Sequence, residues 1–321
     1  MHGSSARAIP AKATDETTTS DANLFTAQRI SYDRDAMGIP WNRAAPAYTA
    51  TFLPRFLPYH HSFVEELAVK EGDRVLSPVC GPGTDALSFA RTIGSAGKLR
   101  ATDPDASWTE TVVTRFREAS VSGHASFEVA PPTDASGGPF DVIATAFHGL
   151  DAVAERHALE AYRDALSTHG KIGRLEWGPS TDDDPFDAFL DALAEYAPSF
   201  DVQESVDAIV DRSALAKLFE SAGLTMVRHT VIRHTVVFAT AEEYLDGLVL
   251  SLRYRDAFVR LGETTVQKVR ARFFDRVGGP TAALSFQPAA TIAIAALPGA
   301  EVELPHRPSV RVPRSSPPEV S

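Results

Sequence analysis

The sequence predicts an α/β fold in which a parallel sheet is covered by helices on both faces. Three observations carry this. Short apolar runs alternate with stretches of helical spacing between Arg74 and Glu176, the first run enters a Gly-Pro-Gly turn, and that turn opens directly into an amphipathic helix. Hydrophobic residues make up 44% of the 321, enough to bury a sizeable core.

Taken in order, residues 1–30 are expected to be a disordered tail, because the first 24 are rich in Ala, Ser and Thr and bury too little to offset their ordering entropy. Residues 31–70 concentrate aromatic side chains, Trp41, Tyr48, Phe52, Phe56, Tyr59 and Phe63 among them, while Pro54 and Pro58 predict a segmented helical cap. A turn at Glu71-Gly72-Asp73 introduces a first strand from Arg74 to about Pro78. The helix that follows starts near Thr84, repeats Ala86, Leu87, Phe89, Ala90 and Ile93 on one side, and stops at Gly94–Gly97.

A second strand, Leu99–Thr102, runs into Asp103, and Ser107 with Glu110 forms a capping-box pattern for the next helix. Further strands are expected at Ala125–Val129, Phe140–Ala146 and Lys171–Glu176, with a helix at Arg156–Leu166. A helix at Phe186–Tyr196 would have Asp182 or Asp183 near its N-terminus. Beyond it come a helix at Ser213–Ala222, a β-rich run at Thr225–Ala239, helical patterns over Ala241–Val277, and a last strand at Thr291–Ala296. The domain expectation is one unit over 71–300 with a helical insertion at 240–280, followed by a disordered Pro- and Arg-rich tail at 301–321.

Composition narrows the partners. The net charge of -11 argues against a nucleic-acid backbone, which needs clustered positive charge. The single cysteine, Cys80, forbids an internal disulfide, no apolar run has membrane-spanning length, and no signal-peptide core is seen near the start, so a cytoplasmic protein without a membrane partner is expected. A small-molecule substrate fits this balance, and a homodimer is compatible with it. No metal is expected: the aspartates 182–184 have no partnering His, and His229 and His234 differ by an odd number, which puts them on opposite faces of a strand.

The glycine turn carries the chemistry. Gly81 and Gly83 allow sharp turning and close approach to a ligand, and the helix after them directs unpaired N–H groups toward the loop. Gly81, Gly83 and Ala86, with Asp103 beyond, also satisfy a G-x-G-x-x-A dinucleotide pattern, so a nicotinamide cofactor stands as one alternative at this point. Asp103 would accept from ribose hydroxyls under either reading. His148, following the fourth strand, is the first candidate for a base, against a hydrogen-bonded structural histidine. Glu176 could orient an acceptor, against an ion pair with Arg174 or a capping role, and Trp41, Tyr48 and His60 are the cap's candidates for substrate contact, against packing of the cap on the main domain.

From about Asp73 to Pro179 the chain resembles the class I S-adenosylmethionine-dependent methyltransferases, in particular the type 11 group that includes quinone-biosynthesis C-methyltransferases. The resemblance rests on VLSPVCGPG as the first motif, KLRATDPDASW as the second, PFDVIATAF as the fourth strand, and GKIGRLEWGP as the fifth strand with its turn. It implies a doubly wound, mostly parallel Rossmann-like seven-stranded sheet with an antiparallel last strand, and S-adenosylmethionine as cofactor. By it, Gly81 and Gly83 approach the methionine part, Asp103 takes the ribose hydroxyls, Trp108 covers the adenine, and Phe147 with His148 borders the methyl group; Val79, Cys80, Pro104, Ala130 and Pro131 complete the contacts. The chain departs from the family pattern at Ser77, which replaces an acidic residue, at Val79, which replaces a glycine or small residue, and at Pro131, which replaces an acidic one. These departures define a second alternative, a non-catalytic binding protein of the same fold.

Overall fold

The computed structural model describes residues 49–150, 152–178, 184–197, 211–251 and 261–305. Its first complete element is helix α1 (Leu53–Leu67), followed by β1 (Arg74–Ser77), α2 (Thr84–Ile93), β2 (Lys98–Asp103), a short 3-10 turn (Ala106–Trp108), α3 (Thr109–Glu118), β3 (Ala125–Val129) and β4 (Phe140–Ala146). Then come α4 (Ala152–Asp164), β5 (Leu166–Trp177), α5 (Pro185–Tyr196), α6 (Arg212–Ser221), β6 (Thr225–Arg233), β7 (Val236–Phe238), α7 (Ala241–Ser251), α8 (Glu263–Val277), β8 (Leu284–Phe286) and β9 (Ala289–Ala296).

Seven strands form one sheet in the order β3-β2-β1-β4-β5-β9-β6. The strands from β3 to β5 run parallel, and β9 enters antiparallel between β5 and β6. The seven-stranded sheet with an antiparallel last strand is the one expected. Every residue of β9 is buried, as a strand covered on both faces requires. One hydrophobic cluster joins α1, α2, α3, α5, α7 and α8 to the sheet, and a second joins α4 and α6 to it.

Several expectations change in detail. The cap segment does not break at its prolines: α1 is continuous, with Pro54 in the first helical turn, where its missing N–H costs nothing, and Pro58 inside. Burial of Tyr59, Phe63 and Leu67, at roughly 1.5–3 kcal/mol each, outweighs the one hydrogen bond Pro58 cannot make. The β-rich run divides between two sheets, because β7 leaves β6 to pair with β8 in a separate ribbon. Asp105, not Ser107, caps the turn after β2, accepting from Ser107 N at 3.0 Å. Asp184 caps α5 through Phe186 N at 2.9 Å, while Asp182 and Asp183 lie outside the described residues.

Two glycines set the position of the roof over the sheet. A Cβ on Gly173 of β5 would lie 2.4 Å from Leu67 Cδ2 and 3.0 Å from Phe63, so α1 rests directly on the strand there. Just before α1, Thr51 packs against α7, where a Cβ on Gly247 would lie 2.6 Å from Thr51 Cγ2. Arg55 donates to Val237 O at 2.9 Å and to Glu243 at 2.5 Å, and Phe52 packs on Phe238 and Tyr244. The phenol of Tyr59 bonds Pro288 O at 2.6 Å and receives His234 N at 3.0 Å.

Candidate functional site

In an open parallel sheet, ligands bind beyond the carboxyl ends of the strands where the strand order reverses. Here that point lies between β1 and β4, whose ends carry the glycine turn and Phe147. Three residues of the turn adopt left-handed φ: Val79 at 52°, Gly81 at 51° and Gly83 at 73°. For β-branched Val79 this conformation is strained by about 1–2 kcal/mol. The geometry that the resemblance would give to glycine is thus retained with a valine in place.

The two glycines serve different ends. A Cβ on Gly83 would meet the Val112 methyls at 3.2 Å, so this residue lets α3 approach the start of α2. Around Gly81 no heavy atom lies within 4 Å of such a Cβ, and its backbone faces open space. Asp103, 1% exposed at the end of β2, ties the turn down: one carboxylate oxygen accepts from Gly81 N at 2.9 Å, the other from Asp105 N at 2.8 Å. Cys80 N bonds Thr102 O at 3.0 Å. Burial, with Asp103 adding to it, pushes the Cys80 thiol well above the usual range, which leaves it protonated and poor as a nucleophile.

Four buried side-chain atoms lack a hydrogen-bond partner among the described residues: His60 Nε2, Thr84 Oγ1, Thr102 Oγ1 and Ser107 Oγ. All four stand on α1, the start of α2, or the end of β2 with its following turn, the elements that surround the glycine loop. Each such atom costs about 1–3 kcal/mol when left without a partner.

The remaining candidates separate into those near this place and those removed from it. Trp108 is buried in the core beside the turn after β2, Pro104 and Ala130 are buried, and Pro131 is exposed. Ala130 N donates to Asp103 O at 3.2 Å, which holds the end of β3 against the end of β2. Phe147 adopts φ 50° and stacks on Trp177 at 4.4 Å between centroids; Trp177 meets Phe56 at 4.8 Å and Tyr59 at 5.1 Å. His60 meets Phe147 edge-on at 5.5 Å. Trp41 and Tyr48 lie outside the described residues.

His148 and Glu176 point elsewhere. His148 is 2% exposed; its Nδ1 accepts from Leu150 N at 2.9 Å, which places the ring proton on Nε2, 3.3 Å from Glu155 Oε1. Glu155 also pairs with Arg174 through both carboxylate oxygens. This places His148 in a structural network under α4, the alternative to a base. Arg174 is taken by Glu155, not Glu176. Glu176 follows Arg174 by two and lies on the sheet face opposite Trp177, its Oε1 accepting from Trp177 N at 3.1 Å. Sequence reasoning missed Asp85: it is 25 residues from His60, and nothing local signals that the two meet.

Among the described residues no cluster of three His, Cys, Asp or Glu is placed to hold a metal ion, and no helix is long and apolar enough to cross a membrane.

The six-stranded dinucleotide fold keeps its strands parallel in the order 3-2-1-4-5-6. An antiparallel strand between β5 and β6 departs from that order. Among solved structures, the chain is similar to a Bacillus halodurans C-125 protein provisionally assigned as a methyltransferase, at 14% identity and TM-score 0.50 over 74% of this chain and 97% of that one. The chain has the class I methyltransferase fold. It is also similar to a cyclopropane-fatty-acyl-phospholipid synthase-like protein from Lactobacillus casei ATCC 334, at 16% identity and TM-score 0.52 over 76% of this chain and 91% of that one. No family model matches the sequence, and no curated protein matches it. On the methyltransferase fold the glycine turn, Asp103 and Phe147 share the carboxyl edge of the sheet, and α1 reaches that edge through Phe56 against Trp177.

Proposed function

We propose that this protein is an S-adenosylmethionine-dependent methyltransferase acting on a small molecule held beside α1 at the carboxyl ends of β1 and β4. The observation that carries this reading is the left-handed glycine turn at the sheet's switch point, with four unpartnered buried polar atoms on the elements that flank it. The residues present fit the cofactor: a Cβ at Gly81 would meet no heavy atom within 4 Å, which leaves room for a polar ligand at the turn, and the flanking elements carry buried polar atoms without a partner among the described residues. When bound, the cofactor supplies an electrophilic methyl carbon on a sulfonium.

In this reading the backbone from Val79 to Gly83 receives the methionine part, Asp103 with Pro104 the ribose, and Trp108, Ala130 and Pro131 the adenine. Phe147 and Trp177 exclude water from the methyl group, which favours transfer because alignment and desolvation supply most of the acceleration. The protein works in the cytoplasm without a nucleic-acid or membrane partner.

Titration calorimetry with S-adenosylmethionine tests the reading, with NAD and NADP as comparison ligands. Heat of binding for S-adenosylmethionine alone is expected. No binding at about 1 mM, an affinity worth only ~4 kcal/mol, ends it.

A second reading, a non-catalytic binding protein, is favoured by Asp103. Both of its oxygens accept backbone N–H groups, and Ser77 stands where an acid would add a further polar contact. Cofactor binding without methyl transfer to any acceptor would favour it.

A further inference from the structure

One buried pair near the glycine turn ties α1 to the start of α2 and leaves a polar atom over. His60 on α1 and Asp85 in the first turn of α2 meet through His60 Nδ1, which lies 2.9 Å from each carboxylate oxygen. An ionised carboxylate only accepts, so the contact keeps a proton on Nδ1 and makes Nε2 the acceptor of the neutral ring. Nε2 is buried and has no partner among the described residues, and the His60 side chain is 9% exposed. An acceptor held in this way, oriented by a carboxylate behind it, is the arrangement of a base awaiting a proton.

The surroundings select the ligand. Phe147 stands edge-on to His60 and stacks on Trp177, which meets Phe56. All three rings are half-buried and together form an aromatic wall. Asp85 places a carboxylate behind His60, the ring that Phe147 meets edge-on, and this disfavours an anionic acceptor and favours a neutral one with a proton to lose. An aromatic hydroxyl satisfies both conditions.

Resting on the methyltransferase reading, we infer that His60 is the catalytic base for a phenolic acceptor and that Asp85 is the residue that positions it. The phenol's O–H bond breaks, its electron pair stays on oxygen, and the proton bonds to His60 Nε2. The resulting imidazolium keeps its Nδ1–H on Asp85. The oxygen pair bonds to the sulfonium methyl carbon, and the C–S pair remains on sulfur, giving a methyl ether and a neutral thioether. His148 cannot take this part, because its Nδ1 accepts from Leu150 and its Nε2 faces Glu155.

Two measurements on the full chain test the inference. In a long-range nitrogen–proton spectrum of histidine-labelled protein, His60 is expected as the Nδ1–H tautomer, with that preference lost in Asp85→Asn. An Nε2–H tautomer in the wild type overturns the proposal, and this readout needs no variant to fold. In the second, labelled S-adenosylmethionine is supplied with catechol and simple phenols, and in parallel with thiophenol, which is already ionised in mildly alkaline buffer. His60→Gln is expected to slow transfer to phenols about 100-fold more than transfer to thiophenol, the low end of general-base effects. Equal losses, or no methylation of any phenol by wild-type protein that binds the cofactor, overturn the base assignment. Failure to bind the cofactor overturns the methyltransferase reading instead, so the two failures are distinct.

Discussion

Nε2 of His148 lies 3.3 Å from Oε1 of Glu155, and Glu155 in turn grips Arg174 beneath α4. Burial would raise the Glu155 carboxyl, but His148 and Arg174 outweigh it and bring its pKa down from 4.5 to about 2. A carboxylate with a depressed folded pKa contributes stability that is present above its unfolded pKa and lost as pH falls toward the folded one. Between pH 4.5 and about 2 this group is therefore expected to take on the order of 3 kcal/mol from the folded state. Urea denaturation across that range measures it. Glu155→Gln should start about 3–5 kcal/mol less stable, because it leaves Arg174 buried without its counter-charge, and should lack this share of the acid dependence.

The same contact predicts what His148→Ala does. Loss of the ring removes the partners of Leu150 N and Glu155, at about 1–3 kcal/mol of stability. Cofactor affinity is expected to change little. A tenfold loss of affinity in folded protein, read by calorimetry and equal to ~1.4 kcal/mol, would restore His148 to the site.

Asp103→Asn keeps the size of the side chain while removing its charge. Its bonds to Gly81 N and Asp105 N are charge-assisted, each worth about 1.5–3 kcal/mol, so the variant should loosen the turn and weaken S-adenosylmethionine tenfold or more. Calorimetry on the folded variant reads this, and an unchanged affinity would remove Asp103 from the ribose site.

Val79 and Val75 make a controlled comparison, since both are buried but only Val79 has positive φ. Substitution by glycine relieves left-handed strain at the first and none at the second. Val79→Gly is expected to cost about 1–2 kcal/mol less than Val75→Gly in denaturant unfolding.

Gly173→Ala puts a methyl group into the contact between β5 and α1, 2.4 Å from Leu67 Cδ2. The expected loss is about 1–3 kcal/mol, since overpacking forces side chains from their rotamers. A thermal melt checks it, and unchanged stability would mean that α1 rests on the strand less firmly than the distances indicate.

Much of the fold was legible because it is written in local patterns. Apolar runs at β1, β3 and β4, helical spacing after Thr84, and the glycine turn all act within a few residues. What was missed depends on partners distant in the chain. Nothing near Val236 announces that β7 leaves β6 for β8, because the pairing of Val236 with Phe286 is a tertiary event. Pro58 read as a helix breaker because its local cost is visible and the burial of Tyr59 and Phe63 is not. The turn and Asp103 were found from their motif, whereas Asp85 looked like an ordinary acidic residue in the first turn of a helix. Ser107 read as a cap, and Asp105, two residues earlier, takes that role.

The fastening of α1 has a consequence for how the protein is assembled. Arg55 finds Val237 across 182 positions, and Tyr59 finds Pro288 across 229. Contacts of such separation incur loop-closure entropy before they return any stabilisation, so they form late. A chain truncated after β5 retains the glycine turn, the five parallel strands and the Trp177 ring against Phe56, yet lacks Val237, Glu243 and Pro288, the polar partners of Arg55 and Tyr59. The aromatic wall and the His60–Asp85 pair are built from the part of the chain that carries the motifs, whereas the polar fastening of α1 through Arg55 and Tyr59 comes into place only once the last third of the sequence has folded onto it.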